Sequence, residues 1–285
     1  MKKAIRGAEF LIRDVNPEEV FITEEFTEEQ NMMKEAVVEF IDREVWPIKE
    51  RFEEKDYALT EELMRKAGEM GFLGVSIPEK YGGIGMGFVS TMLVTDYISA
   101  ASGSLGTAYG AHTGIGTMPI FLYGTEEQKN KYLPALTAGE KFGAYCLTEP
   151  GSGSDAAALR TKAERENQGY VLDGTKAFIS GGDYSDVYLC MVRTGEAGPK
   201  GISAVLVENG TSGLSFGAQE RKMGWRAQPT AQVQFDSCAI PAAHLVGEEG
   251  SGFVYAMAGL DGGRLNIAAS ALGGAQSALD TALQY

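Results

Sequence analysis

Residues 146–163 read CLTEPGSGSDAAALRTKA, a short apolar run that enters Thr148-Glu149-Pro150 and then Gly151-Ser152-Gly153-Ser154-Asp155. A strand that ends in such a turn lines up backbone N–H groups and small hydroxyls, an arrangement able to cradle a diphosphate. The same composition also describes a flexible loop with no further role. Thr148, and Ser180 at the end of GYVLDGTKAFIS, are short donors that in isolation read as sheet-edge hydroxyls. Asp261 and Arg264 stand i,i+3 in an Ala-rich stretch; alone, that spacing describes a helical ion pair worth about 0.3 kcal/mol. Glu149-Pro150 is most simply a strand terminator.

The bulk composition narrows the chemistry. With 285 residues the chain is long enough for two domains and part of a third. Its formal charge of −14, with no basic run, excludes a nucleic-acid face. An anionic ligand must then be held by local N–H groups and a few arginines, because the overall field repels it. Cys146, Cys190 and Cys238 are far apart, which suits buried thiols in a reducing, cytoplasmic-type compartment. The two histidines, His112 and His244, are too few for a His-rich metal site and read as structural. The opening MKKAIRGAEFLIRDVNPEEV lacks the apolar core of a signal peptide, and no apolar run nears the roughly 20 residues that cross a bilayer.

These residues must be positioned by two kinds of element. Thr27 and Gln30 have capping-box spacing before Met33, Val37, Phe40 and Ile41 at helical intervals, and Trp46-Pro47 breaks the pattern. A second helix is expected from Thr60 to a terminal Gly71, and a third, capped by Thr125 with Gln128, follows the small-residue stretch 89–123. Four to six helices are expected before residue 143. From Tyr145 the runs become β-rich, and Asp173-Gly174 reads as a hairpin turn. Near Gly250 a helical period returns and persists to Tyr285. The expected organisation is an extension at 1–26, a helical domain at 27–142, a β domain at 143–247, and the first helix of a truncated helical domain at 248–285. The fold class is α+β multidomain: all-α, then an antiparallel barrel-like sheet, then the start of a helical bundle.

That order, together with YCLTEPGSGSD, GTEEQKNKYLPALTAGE, DGTKAFISGG and GLDGGRLNIAASALGGAQSALD, resembles the acyl-CoA dehydrogenase family over about residues 26–285. The resemblance implies FAD-dependent introduction of a 2,3-double bond into an acyl-CoA thioester, with electrons passed to an electron-transfer flavoprotein. It implies flavin contacts at Tyr145, Leu147, Thr148, Gly153, Ser154, Phe178, Ile179 and Ser180. It also implies acyl-CoA contacts at Ser154, Leu260, Asp261 and Arg264. Many members carry Trp where this chain has Phe178. Family members are commonly homotetramers, which implies an oligomeric parent. The physical reasons agree: hydroxyls can stabilise charge on a reduced flavin, and glycines let backbone approach a diphosphate.

Two departures stand out. Most members carry the glutamate that removes the α-proton late in the C-terminal helices, and a minority carry it one residue before the arginine, here Gly263. No catalytic base is therefore identified within residues 1–285, and the chain alone is expected not to dehydrogenate acyl-CoA. From Tyr145 onward the sequence resembles the isobutyryl-CoA and short branched-chain branch, whereas residues 6–30 resemble the very-long-chain-type enzymes. Lys to Arg runs 10 to 5 before Tyr145 and 4 to 6 after it, and a chimera joined near residue 145 is one expectation. The alternatives to a dehydrogenase are a non-catalytic flavin- or CoA-binding fragment and a relative of acyl-CoA oxidases or nitroalkane oxidases that uses oxygen directly.

Overall fold

A computed structural model describes residues 9–285; the first eight residues of the expected extension lie outside the described residues. Helix α1 (Glu28–Phe40) starts at the expected capping box, where Thr27 Oγ1 accepts from Gln30 N and Gln30 Oε1 accepts from Thr27 N. A π-helical turn (Ile41–Val45) and a 3-10 segment with Pro47 in its first turn follow (Trp46–Glu54). Helix α2 (Tyr57–Glu69) begins before Thr60, because Asp56 caps it by accepting from Leu59 N, and Gly71 ends it at φ +80°. Thr60 instead sits inside that helix and donates to Ala227 O.

The small-residue stretch forms α3 (Phe88–Ala101), α4 (Gly103–Gly110), a π-helical segment (Ala111–Thr117) and α5 (Met118–Tyr123). Helix α6 (Glu126–Thr137) carries the second expected capping box at Thr125 and Gln128. The strands are β1 (Gly143–Cys146), β2 (Lys162–Glu166), β3 (Gly169–Ser180), β4 (Val187–Arg193), β5 (Ile202–Glu208), β6 (Leu214–Phe216), β7 (Thr230–Pro241) and β8 (Leu245–Val246). A single helix, α7 (Gly252–Gln284), closes the chain.

The sheet corrects two expectations. Its order is β6-β7-β3-β2-β4-β5-β8, with β1 beside β4. It is open, so "barrel-like" is too strong. It is also mixed, because β1 and the first residue of β2 pair in parallel with β4. Asp173-Gly174 is not a turn either. Both residues lie within the twelve-residue β3, where the register against β7 shifts. The turn falls earlier, at Asn167-Gln168, with Asn167 at φ +48°. Gly174 is required for a different reason: at φ +147°, a Cβ there would lie 2.6 Å from Thr161 Oγ1.

One of three apolar clusters joins the helices to the sheet. Tyr81, Ile120, Leu133 and Leu136 pack with Tyr145, Leu147, Leu189, Leu206, Val246 and Ala256. His112 reinforces this junction. Its Nδ1 accepts from Gly143 N at 3.1 Å, which assigns the ring proton to Nε2 for donation to Leu136 O at 3.0 Å. The first strand is thereby fixed to the π-helical segment. Helix α7 is locked to α3 by Thr95 Oγ1 donating to Asn266 Oδ1 and by Ser99–Ser270, both at 3.0 Å. At Gly273 of α7 the backbones approach so closely that a Cβ would sit 1.9 Å from Asp96 O. This docking fixes where α7 presents its side chains.

Candidate functional site

Between the π-helical segment, the ends of β1 and β3, and the first turns of α7 lies a cleft of about 440 Å³, within the range of small-molecule sites. Strand β1 continues through Leu147 and Thr148, and β3 reaches it through the bulge before Ile179. Lys176 pairs with Val233 and Ile179 with Ala231, so Ala177 and Phe178 together face Gln232. The bulge frees Ala177 N from β7 to donate to Thr148 O at 2.8 Å. It also places Phe178 at φ +58° with 66% exposure, its ring turned to the cleft wall. A bulge that re-aims a side chain beside a site is a recurrent device.

Ten of the expected residues line this one cleft: Tyr145, Leu147, Thr148, Gly153, Ser154, Phe178, Ile179, Ser180, Leu260 and Arg264. Asp261 is not in the lining; it sits beside the cleft, ion-paired with Arg264. Sequence reasoning missed Ala111, Ile115, Ala156 and Met257, which also line it. Their helical spacing reads as ordinary core, and the sequence carries no signal that turns them toward a cavity. Tyr145 is held by its hydroxyl, which donates to Ala256 O at 3.3 Å, and burial pushes its titration well above the usual phenol range.

The donor set suits an anionic, heteroaromatic ligand. Among the described residues the hydroxyls of Thr148, Ser154 and Ser180 have no protein partner, and neither do the backbone N–H groups of Gly153 and Ser154. A Cβ added at Gly151 or Gly153 meets nothing within 4 Å, so that face of the turn is open to a ligand. Apolar walls at Leu147, Ile179, Met257 and Leu260 complete the cleft. FAD fits these residues: N–H groups for its diphosphate, hydroxyls for its polar ring edge and apolar side chains for its ring faces.

Glu149 is the largest omission from the sequence reading. Its carboxylate is buried rather than lying at a free strand end. Oε1 accepts from Thr161 N at 2.9 Å and from Lys176 Nζ at 2.8 Å, while Oε2 accepts from Arg160 N at 2.6 Å. Burial pushes this carboxyl up, but Lys176 and the N–H donors together outweigh it and hold it below the usual carboxylate range. Lys176 is fully buried, which pulls its ammonium down against the attraction of Glu149. A lysine inside the apolar run of β3 was the available signal, since a buried ammonium demands a partner.

No carboxylate lines the cleft among the described residues. Gly263 is not in the lining; a Cβ added there would lie 3.6 Å from Cγ2 of Ile115, which is.

Comparison with known proteins bears on the whole chain. Sequence models of the acyl-CoA dehydrogenase N-terminal, middle and C-terminal domains match residues 27–140, 144–238 and 250–285. The mitochondrial isobutyryl-CoA dehydrogenase of Dictyostelium discoideum is 46% identical over 260 residues, 91% of this chain and 62% of its own length. The chain thus spans less than two thirds of that relative. An acyl-CoA dehydrogenase from Bacillus anthracis, solved with FAD, superposes with a TM-score of 0.92 and 37% identity over 99% of this chain and 49% of its own. A chain in the structure of the electron transferring flavoprotein of Acidaminococcus fermentans superposes with a TM-score of 0.90 and 39% identity, covering 93% of this chain and 70% of that one. Because the Bacillus protein aligns on both sides of residue 145, a composite origin is not needed to explain the two resemblances. With three successive domains matched in order and the glycine turn facing the cleft, the chain belongs to the acyl-CoA dehydrogenase family.

Proposed function

We propose that this chain provides the FAD and acyl-CoA cleft of an enzyme that oxidises a short or branched acyl-CoA to its 2,3-enoyl-CoA. The observation that carries this reading is the convergence of the glycine turn, the unpartnered Thr148 and Ser180 hydroxyls and Arg264 on one cavity. FAD, when bound, supplies the acceptor for the hydride that leaves the β-carbon as a base takes the α-proton. Gly153 and Ser154 N–H groups donate to the diphosphate, and Thr148 and Ser180 donate to the polar edge of the ring. Leu147, Phe178 and Ile179 exclude water from it. Arg264 offers the CoA arm a cation in an otherwise acidic protein. Similarity to an isobutyryl-CoA dehydrogenase supports a short branched acyl group. An electron-transfer flavoprotein as acceptor, a homotetrameric parent and a reducing, cytoplasmic-type compartment complete the proposal; three buried free cysteines support the last of these.

A second reading has its own support. With no carboxylate in the described lining, these 285 residues bind flavin and CoA without turning over. Adding isobutyryl-CoA anaerobically to the FAD-loaded chain separates the two. The visible flavin band is expected to shift on binding but not to bleach. Bleaching would show that a base is present after all. Gly263→Glu is expected to permit slow bleaching, because it supplies a carboxylate beside Ile115.

A further inference from the structure

The buried pair Glu149–Lys176 has a geometry that stability does not explain. Replacing a buried ion pair with apolar residues is often neutral or stabilising, so a pair of this kind is weak evidence for a stability role. Its contacts, however, bracket segments that form the cleft wall. Lys176 Nζ donates to Leu147 O at 3.2 Å and to Glu149 Oε1 at 2.8 Å, tying β3 to the continuation of β1. The next residue, Ala177, donates its N–H to Thr148 O. The Glu149 carboxylate then reaches eleven and twelve residues ahead to Arg160 and Thr161 N–H groups. That closes the whole segment containing Gly151, Gly153 and Ser154 into a ring. Within it, Glu149 and Ser152 exchange both backbone hydrogen bonds, and Ser152 Oγ donates to Asp155 O at 2.7 Å.

We propose that Glu149 and Lys176 are positioning residues: together they hold the Gly151–Ser154 turn and the Thr148 strand end in the geometry that binds the cofactor diphosphate and ring edge. This inference rests on the cleft being a flavin site. The pair touches none of the cleft volume itself; it acts through the backbone it holds. Neither Glu149 nor Lys176 lines the cleft, so a purely structural role and a positioning role predict different results. The structural role lowers stability alone. The positioning role lowers affinity and loosens the turn beyond what stability accounts for.

The test uses the 285-residue chain, FAD as probe, the variants Glu149→Gln and Glu149→Asp, and Val37→Ala as a control buried in the distant helical core. Glu149→Gln removes the charge; Glu149→Asp keeps it opposite Lys176 but withdraws the oxygens from Arg160 and Thr161 N–H. Both are expected to raise the FAD Kd about tenfold or more, the equivalent of about 1.4 kcal/mol. In the FAD-free chain both are expected to speed amide exchange across residues 151–161 by about tenfold. Val37→Ala is expected to lower the thermal midpoint without changing either quantity. FAD affinity within about twofold of wild type in both Glu149 variants would overturn the proposal, as would a loss matched by Val37→Ala at equal thermal midpoint. Should wild type take up no FAD, the flavin reading fails, and the exchange data decide the positioning claim: acceleration confined to 151–161 sustains it, and wild-type rates overturn it. Should Glu149→Gln not fold, Glu149→Asp decides, since it leaves Lys176 paired.

Discussion

At Gly153 the absence of a side chain matters for the ligand rather than for the fold. A Cβ there meets open space, so Gly153→Val is expected to leave the thermal midpoint nearly unchanged while weakening FAD about tenfold or more. A titration and a melting curve on the same sample check this. His112 behaves in the opposite way, since it touches no ligand and holds β1 to the π-helical segment. Burial lowers its titration to about 4, with the Leu136 carbonyl opposing. Because this lies below the unfolded value, neutral His112 contributes stability that is present above about pH 6.5 and lost as pH falls through about 4. The loss amounts to about 3 kcal/mol. Denaturant midpoints between those pH values should therefore flatten in His112→Gln relative to wild type. Thr148 and Gly153 were legible only through the resemblance carried by YCLTEPGSGSD, since alone they read as a sheet-edge hydroxyl and a loop glycine. Glu149 was hidden by the proline beside it, which reads as a strand end until Lys176 is seen across the sheet.

At the scale of elements, capping chemistry was readable and long-range closure was not. Thr27 and Thr125 cap their helices as their spacing demands. Asp173-Gly174 carries a stronger local turn signal than Asn167-Gln168, yet the chain turns at the latter. The reason is tertiary: Gly174 is needed where β3 passes Thr161, and Asp173 Oδ1 accepts from Ser237 N on β7. The parallel pairing of β1 with β4 likewise depends on partners more than 40 residues apart, as Gly143↔Val187 shows. The docking of α7 on α3 makes a sharp prediction. Gly273→Ala puts a methyl against Asp96 O, and is expected to cost about 1–3 kcal/mol through displacement of α7. Since α7 carries Leu260 and Arg264, acyl-CoA affinity should fall with it. Gly274→Ala, whose Cβ meets nothing within 4 Å, is the matched control and should be neutral or better.

Over the whole molecule the charge of −14 sets the field through which anionic ligands approach. Arg264, already paired with Asp261, is the one cationic side chain in the described cleft lining. The association rate of FAD or acyl-CoA should therefore rise with ionic strength, as screening weakens the repulsion, with the steepest change below about 0.1 M salt. Stopped-flow mixing at two salt concentrations checks the sign; a rate that falls would mean local cations dominate the approach. The molecule's domain order was legible because all-α, mixed β and α segments differ in period and composition. The order of strands in the open sheet was not, because it depends on pairing between strands remote in sequence. Central to the account is that the cleft between β1, β3, the π-helical segment and α7 binds FAD. Equilibrium titration of FAD into the 285-residue chain, followed by flavin fluorescence, tests this most directly. Saturable binding is expected, lost or greatly weakened in Gly153→Val. No saturable binding, or binding undiminished in that variant, would contradict it.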